Sequence, residues 1–110
     1  MALKSIPLLR EIVWPQLTAV GATATLPVKR IKNHTFVYTL ANKNTNVIVQ
    51  PEGSLDGTNW FVMATAVTQT ANGTYGFTIA NTPVLYVRFN MTAENGGTAA
   101  TVNVSYLGSS

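Results

Sequence analysis

The sequence has no cysteine among its 110 residues. That excludes disulfide staples, thiolate metal sites and thiol nucleophiles. Charge is scarce as well: Asp, Glu, Lys and Arg make up 10% of the chain, against about 25% in an average soluble domain. Histidine occurs once, at His34. A lone histidine beside a loop reads as a surface residue or a strand cap, since an imidazole metal site needs companions. The carboxylates are Glu11, Glu52, Asp56 and Glu94, and their spacing fits no calcium loop, which wants oxygen ligands at alternate positions. Glu52 and Asp56 stand four apart across a turn. A glycosidase pair there is a weaker reading than a turn-forming Asp56 beside a solvated or ion-paired Glu52. No Gly-rich loop opens a helix, so no phosphate cradle is present. No apolar run approaches the ~20 residues of a membrane-spanning helix. The sequence therefore lacks the constellation of nucleophile, base or metal that an enzyme needs. The expectation is a protein without catalytic activity, cofactor, metal, small-molecule substrate or membrane segment.

What fills the space left by charge is threonine and asparagine, with 16 and 10 copies. Hydrophobic residues make up 46%, enough to build a core and too many for a disordered chain. The length suits one domain. The net charge of +3 is uneven: Lys4, Arg10, Lys29, Arg30 and Lys32 face only Glu11 in the first 32 residues, whereas Lys43 and Arg88 are outnumbered by Glu52, Asp56 and Glu94 in the rest. A nucleic-acid patch interleaves such bases with stacking aromatics. The aromatics lie elsewhere, so no nucleic-acid partner is expected. The Lys29-Arg30-Ile31-Lys32 cluster reads as a solvated loop or as a contact to an acidic neighbour.

From residue 34 onward the hydrophobic period is two, the mark of half-buried strands. Residues 34–41 place Phe36, Tyr38 and Leu40 on one face. Strands are also expected over 46–50, 60–67, 74–80, 84–92 and 101–107. Their inward sets are Trp60, Val62 and Ala64; Tyr75, Phe77 and Ile79; Leu85, Val87, Phe89 and Met91; and Val102, Val104 and Tyr106. Turn chemistry separates them at Asn42–Thr45, Asp56-Gly57, Asn72-Gly73, Asn81–Pro83 and Glu94–Gly97. Pro51 cannot donate to a ladder, so its strand should bend, bulge or lie on an edge there. Six short strands without an intervening helix predict an all-β fold, an antiparallel β-sandwich or jelly roll.

The first third is different. Residues 1–16 read as an N-terminal arm ahead of a single sandwich domain over 17–110, with 17–27 a weak strand leading into the body. The arm segment between Pro7 and Pro15 suits either one or two helical turns or an extended strand. It is a poor secretory signal, because Arg10 and Glu11 break its apolar stretch; synthesis in a cytoplasm is expected. Leu8, Leu9, Ile12, Val13 and Trp14, with Arg10 beside them, are the candidate partner-binding residues, since so short an apolar segment must be buried against something.

One motif is specific. Glu52-Gly53-Ser54-Leu55-Asp56-Gly57-Thr58-Asn59-Trp60 reads as a strand, a Ser-x-Asp-Gly turn, and a tryptophan that opens the next strand and anchors the core. Ser54, Asp56, Gly57 and Trp60 are its structural turn residues. This hairpin resembles one found in small β-sandwich virion proteins of tailed bacteriophages, among them capsid decoration (cement or staple) proteins and tail-associated modules. The resemblance covers residues 34–107 in strand pattern and 50–60 in motif. It implies a structural virion protein that sits on the capsid surface, binds the major capsid protein and forms a homodimer or homotrimer. The alternative it leaves open is a tail or fibre module that binds host carbohydrate or another tail protein.

Overall fold

A computed structural model describes residues 9–110. Leu8, and with it the first half of the expected arm, lies outside the described residues. All regular structure among them is extended, as the two-residue period requires. The strands are β1 (Leu9–Val13), β2 (Gly21–Ala22), β3 (Leu26–Pro27), β4 (Asn33–Ala41), β5 (Asn46–Ser54), β6 (Trp60–Val62), β7 (Val67–Gln69), β8 (Gly73–Ile79), β9 (Tyr86–Asn95) and β10 (Thr101–Ser109). They form two antiparallel sheets. The first has the order β1-β10-β4-β8. In the second, β9 and β5 are central; β2 and β3 lie end to end along β9, and β6 and β7 lie end to end along β5. With each of those short pairs taken as one line, successive lines alternate between the sheets in all but one step. This is jelly-roll topology.

Pro51 explains the broken line beside β5. It stands in a central strand, opposite Phe89 of β9, and not on an edge. Its carbonyl accepts from the Met63 amide at 2.9 Å, so its missing N–H also points to the β6–β7 side. A continuous neighbour there would meet an absent donor. The residues expected as one strand over 60–67 accordingly divide into β6 and β7, with the gap facing Pro51. The only register shift in β5 falls earlier, between Ile48 and Val49, where Thr92 of β9 is the extra residue.

The core is a layer of rings between the sheets. Phe89 from the second sheet lies 5.0 Å from the Tyr38 ring and 6.2 Å from those of Phe36 and Phe77, all in the first. Val47, Val49, Val87, Met91, Val102 and Val104 fill the space around them, fully buried. The inward sets expected for β4 and β10 are buried, as are Phe77 and Ile79 of β8 and Val87, Phe89 and Met91 of β9; Tyr75 is half-buried, and ahead of β9 it is Val84 that is buried while Leu85, expected inward, is half-buried.

The arm and His34 also need correction. Residues 9–14 are not a separate arm: β1 pairs with β10 along its whole length, and Trp14 is buried, stacked parallel to Phe36 at 6.3 Å and tilted against Tyr106. Its amide donates to the Val104 carbonyl at 3.0 Å, but its indole Nε1 has no hydrogen-bond partner among the described residues, so packing holds the ring. The division after residue 16 therefore matches no break in the described structure. His34 is no surface residue either. It is buried at the end of the core, with Nε2 2.8 Å from the Thr82 carbonyl and Nδ1 2.6 Å from the Tyr106 hydroxyl. A carbonyl only accepts, so Nε2 carries the proton and Nδ1 accepts from Tyr106.

The Ser-x-Asp-Gly turn joins β5 to β6. Ser54 Oγ accepts the Asp56 and Gly57 amides at 3.2 and 2.9 Å and donates to Asp56 Oδ1 at 3.0 Å. The same Oδ1 accepts the Thr58 and Asn59 amides, both at 2.8 Å. These amide donors hold the Asp56 carboxyl far below the usual carboxylate range. Gly57 has φ +78°, and a Cβ built there would meet only the Tyr86 ring, at ordinary contact distance.

Three outcomes follow from this packing. Phe89→Ala should destabilise the domain by ~3–5 kcal/mol in denaturant unfolding, because its cavity opens onto three rings. Gly57→Val should cost about 1 kcal/mol or more, whereas Gly57→Asn should be milder; the cost is backbone strain and not a clash. Burial lowers the His34 pKa below its ordinary 6.5, against the Thr82 bond that raises it. The unfolded chain then binds the proton more readily, so stability should fall as pH drops from 6.5 toward the carboxylate range. His34→Gln should flatten that part of the melting-temperature profile, and an unchanged slope would remove His34 as its cause.

Candidate functional site

Alternation leaves each sheet one outer face, and the two faces differ in chemistry. On the first sheet, cross-strand rows follow from the register. One row is Val13, Ser105, Val37 and Gly76; the next is Glu11, Leu107, Thr35 and Thr78; another is Asn103, Thr39 and Thr74. Leu9, Val13, Val37 and Leu107 are exposed, Val13 to 75% and Leu9 to 68%. Glu11, Val13, Thr35, Val37, Ser105 and Leu107 line a shallow groove between β1, β10 and β4. Glu11 is the one charged side chain that the strands of this sheet place on the face. An exposed apolar stripe in a polar, uncharged surround is the composition of an interface core.

The candidate partner-binding residues divide across β1. Leu9 and Val13 belong to this outer face. Ile12 and Trp14 point the other way, Ile12 packed against the core and Trp14 within it. Arg10 lies at the end of the sandwich, where it shares a cleft with Leu9, Pro27, Val28, Lys29 and Ile31. Lys29 and Arg30 both have left-handed backbone, φ +45° and +67°, in a turn fixed by the Arg30 amide on the Val84 carbonyl and the Ile31 amide on the Val28 carbonyl. Ile31 is thereby buried while Lys29, Arg30 and Lys32 stay exposed. The basic cluster and Arg10 thus meet at one end of the molecule, beside the apolar face. Val37 and Leu107 escaped the sequence reading as surface candidates. Their signal was legible, since both are large apolar residues at outward positions of alternating strands.

The outer face of the second sheet is built around a polar network; Val62, expected inward, pairs with Glu52 and is instead exposed on this face. Glu52 and Arg88 are directly opposite on β5 and β9, as are Gln50 and Asn90. Arg88 Nε donates to Glu52 Oε1 at 2.6 Å; Gln50 Nε2 and Asn90 Nδ2 donate to Oε2 at 2.6 and 3.1 Å. Burial by itself raises the Glu52 pKa, but the donors from Gln50, Asn90 and Arg88 outweigh it and hold the carboxyl below its usual value. The Arg88 guanidinium lies over the Trp60 ring, 4.2 Å from its centroid, a cation–π contact. Trp60 was expected to anchor the core. It is opposite Ser54, and that register puts it with Glu52 on the outside, half-buried beneath Arg88; a one-residue offset decides the face. Ser54, Asp56 and Gly57 form the adjoining turn. The network occupies both Glu52 oxygens with its own donors, and it reads as a sheet-surface staple. Among the described residues no three His, Asp or Glu side chains gather to hold a metal ion.

The sequence matches no protein-family model, and no curated protein matches it. Solved structures do share its fold. The SPBc2 prophage-derived protein YomS superposes with a TM-score of 0.67 at 13% identity, covering 100% of both chains. The subviral particle of infectious bursal disease virus VP2 gives a TM-score of 0.61 at 13% identity over 94% of this chain; the match takes in 32% of VP2. CpGH89CBM32-5 from Clostridium perfringens, solved with GalNAc-β-1,3-galactose, gives 0.53 at 18% identity, covering 78% of this chain and 66% of its own. At these identities the likeness is one of fold: a jelly-roll sandwich of the kind built into a prophage protein, a viral particle protein and a sugar-binding protein.

Proposed function

We propose that this chain is a structural virion protein of a tailed bacteriophage that decorates the capsid, with the outer face of the first sheet laid on the major capsid protein. The observation that carries the reading is that face itself. It exposes Leu9, Val13, Val37 and Leu107 among threonines, serine and asparagine, with Glu11 its lone charge among the described residues. Burying one such aliphatic side chain contributes ~1.5–3 kcal/mol, and uncharged hydroxyl and amide neighbours desolvate at lower cost than ions. The basic end formed by Arg10, Lys29, Arg30 and Lys32 would steer the chain toward an acidic particle surface. The fold shared with a prophage protein and a viral particle protein supports the same reading. No catalysis or cofactor enters it, and the site of action is the virion surface.

The alternative, a tail or fibre module binding carbohydrate, would draw on Trp60 and its polar neighbours. Arg88 already lies over that ring, and Glu52 is already bonded to three donors. The apolar face is therefore the better docking surface.

The test adds purified protein to phage particles lacking it and measures co-sedimentation with capsids and with isolated tails. The expected result is saturable capsid binding. Val13→Asp with Leu107→Asp should weaken it at least about tenfold, some 1.4 kcal/mol or more, while the melting temperature stays near that of the parent. Binding to tails or glycans alone would overturn the capsid assignment. Capsid binding untouched by the two aspartates would overturn the assignment of the face.

A further inference from the structure

The free edges of the two sheets are protected unequally. In the first sheet one edge is β1, which carries Arg10 and Glu11 and runs on toward Pro15. In the second, the edges are the two-residue β2 and β3 and the three-residue β6 and β7, with Pro27 in β3. Short strands, charges and prolines are the devices that keep sheet edges from pairing with other chains. β8 has none of them. Its seven residues, Gly73–Ile79, pair with β4 on one side only, without a charge, a proline or a register shift. Among the described residues no backbone hydrogen bond from outside the sheet reaches its far side.

The sequence of this edge is nearly the same read in either direction: Thr74-Tyr75-Gly76-Phe77-Thr78. Two identical antiparallel strands related by a twofold axis place each residue opposite its mirror position, so an isologous contact needs such symmetry. With the axis at Gly76, Thr74 of one copy faces Thr78 of the second. Tyr75 faces Phe77, and Gly76 faces its counterpart. All seven residues are then paired. Threonine pairs and aromatic pairs are favourable across antiparallel strands. β8 already makes both kinds with β4: Thr39 and Thr74 hydroxyls lie 2.9 Å apart, and the Tyr38 and Tyr75 rings 5.6 Å apart. An uncharged, self-complementary strand suits a second copy of itself better than an unrelated charged partner.

We propose that two copies of this chain join antiparallel along β8, about a twofold axis at Gly76, so that their first sheets become one continuous sheet. The contact closes on itself, and the charged β1 edges face outward at both ends. The outer faces of the two first sheets then form one extended surface. This pairing stands on the edge strand and is independent of what that surface binds.

The experiment is sedimentation equilibrium of the full chain across a concentration series, with two variants. Wild type should be a concentration-dependent dimer. Thr74→Lys combined with Thr78→Lys sets lysine opposite lysine twice and should weaken dimerisation at least about tenfold, with the melting temperature of the monomer close to wild type. Thr74→Lys combined with Thr78→Glu sets opposite charges across the same axis and should restore the dimer. A wild type that stays monomeric throughout would overturn the proposal, as would a double-lysine variant that associates like wild type. If the lysine variant fails to fold, amide exchange on wild type decides. The β8 amides directed away from β4 should be protected at high concentration and exchange freely at low concentration. Protection that ignores concentration would also overturn it.

Discussion

The packing of one ring, Phe89, against three others ties the two sheets together. Phe36, Tyr38 and Phe77 approach it from two strands of the opposite sheet, and Trp14 and Tyr106 continue the layer around Phe36. With no disulfide and few charges, this chain has little besides apolar contact to hold one sheet on the other. The layer also sets what each outer face can be. Once Phe89, Val87 and Met91 point inward, Arg88 and Asn90 must point outward, and the partners they find there are Glu52 and Gln50 on the adjacent strand.

The two outer faces solve the problem of exposure differently. On the second sheet a charged pair packs with Trp60 and both Glu52 oxygens are bonded by neighbouring donors, so that polar centre is self-contained, while Val62 stays exposed at its β6 edge. On the first sheet Leu9, Val13, Val37 and Leu107 are left exposed by the described residues, and the polar groups around them are hydroxyls and amides that are cheap to desolvate. That asymmetry, more than the fold, directs the functional reading to β1, β10 and β4. The same jelly roll hosts sugar-binding and particle-forming proteins, so the fold alone would not choose between them.

Much of the architecture was legible from alternation. Strands β4, β8, β9 and β10 and their inward faces follow from a period of two, because only one register buries the aromatic set. The Ser54–Gly57 turn was legible because its chemistry is local: a hydroxyl, a carboxylate and a glycine within four residues satisfy each other's needs wherever the chain goes. Trp60 was misplaced because β6 is too short to show a period, and its face is inherited from Ser54 across the ladder. The strand expected through residues 60–67 divided for a reason lying in a different strand, at Pro51. Trp14 was read as a partner anchor because nothing in its own segment says that β10 is waiting beside it.

By itself, then, the sequence determined the class of fold, the turn, and most of the core, since each of these rests on neighbours within a few residues. Only the tertiary structure decided that β1 is an edge strand of the sandwich and that His34 is buried against Tyr106 and Thr82. It alone brought Glu52 to Arg88 across 36 positions and gathered Leu9, Val13, Val37 and Leu107 onto one face. Those outcomes depend on which strands become neighbours. That choice is made by the sum of long-range contacts, and no local stretch of sequence carries it.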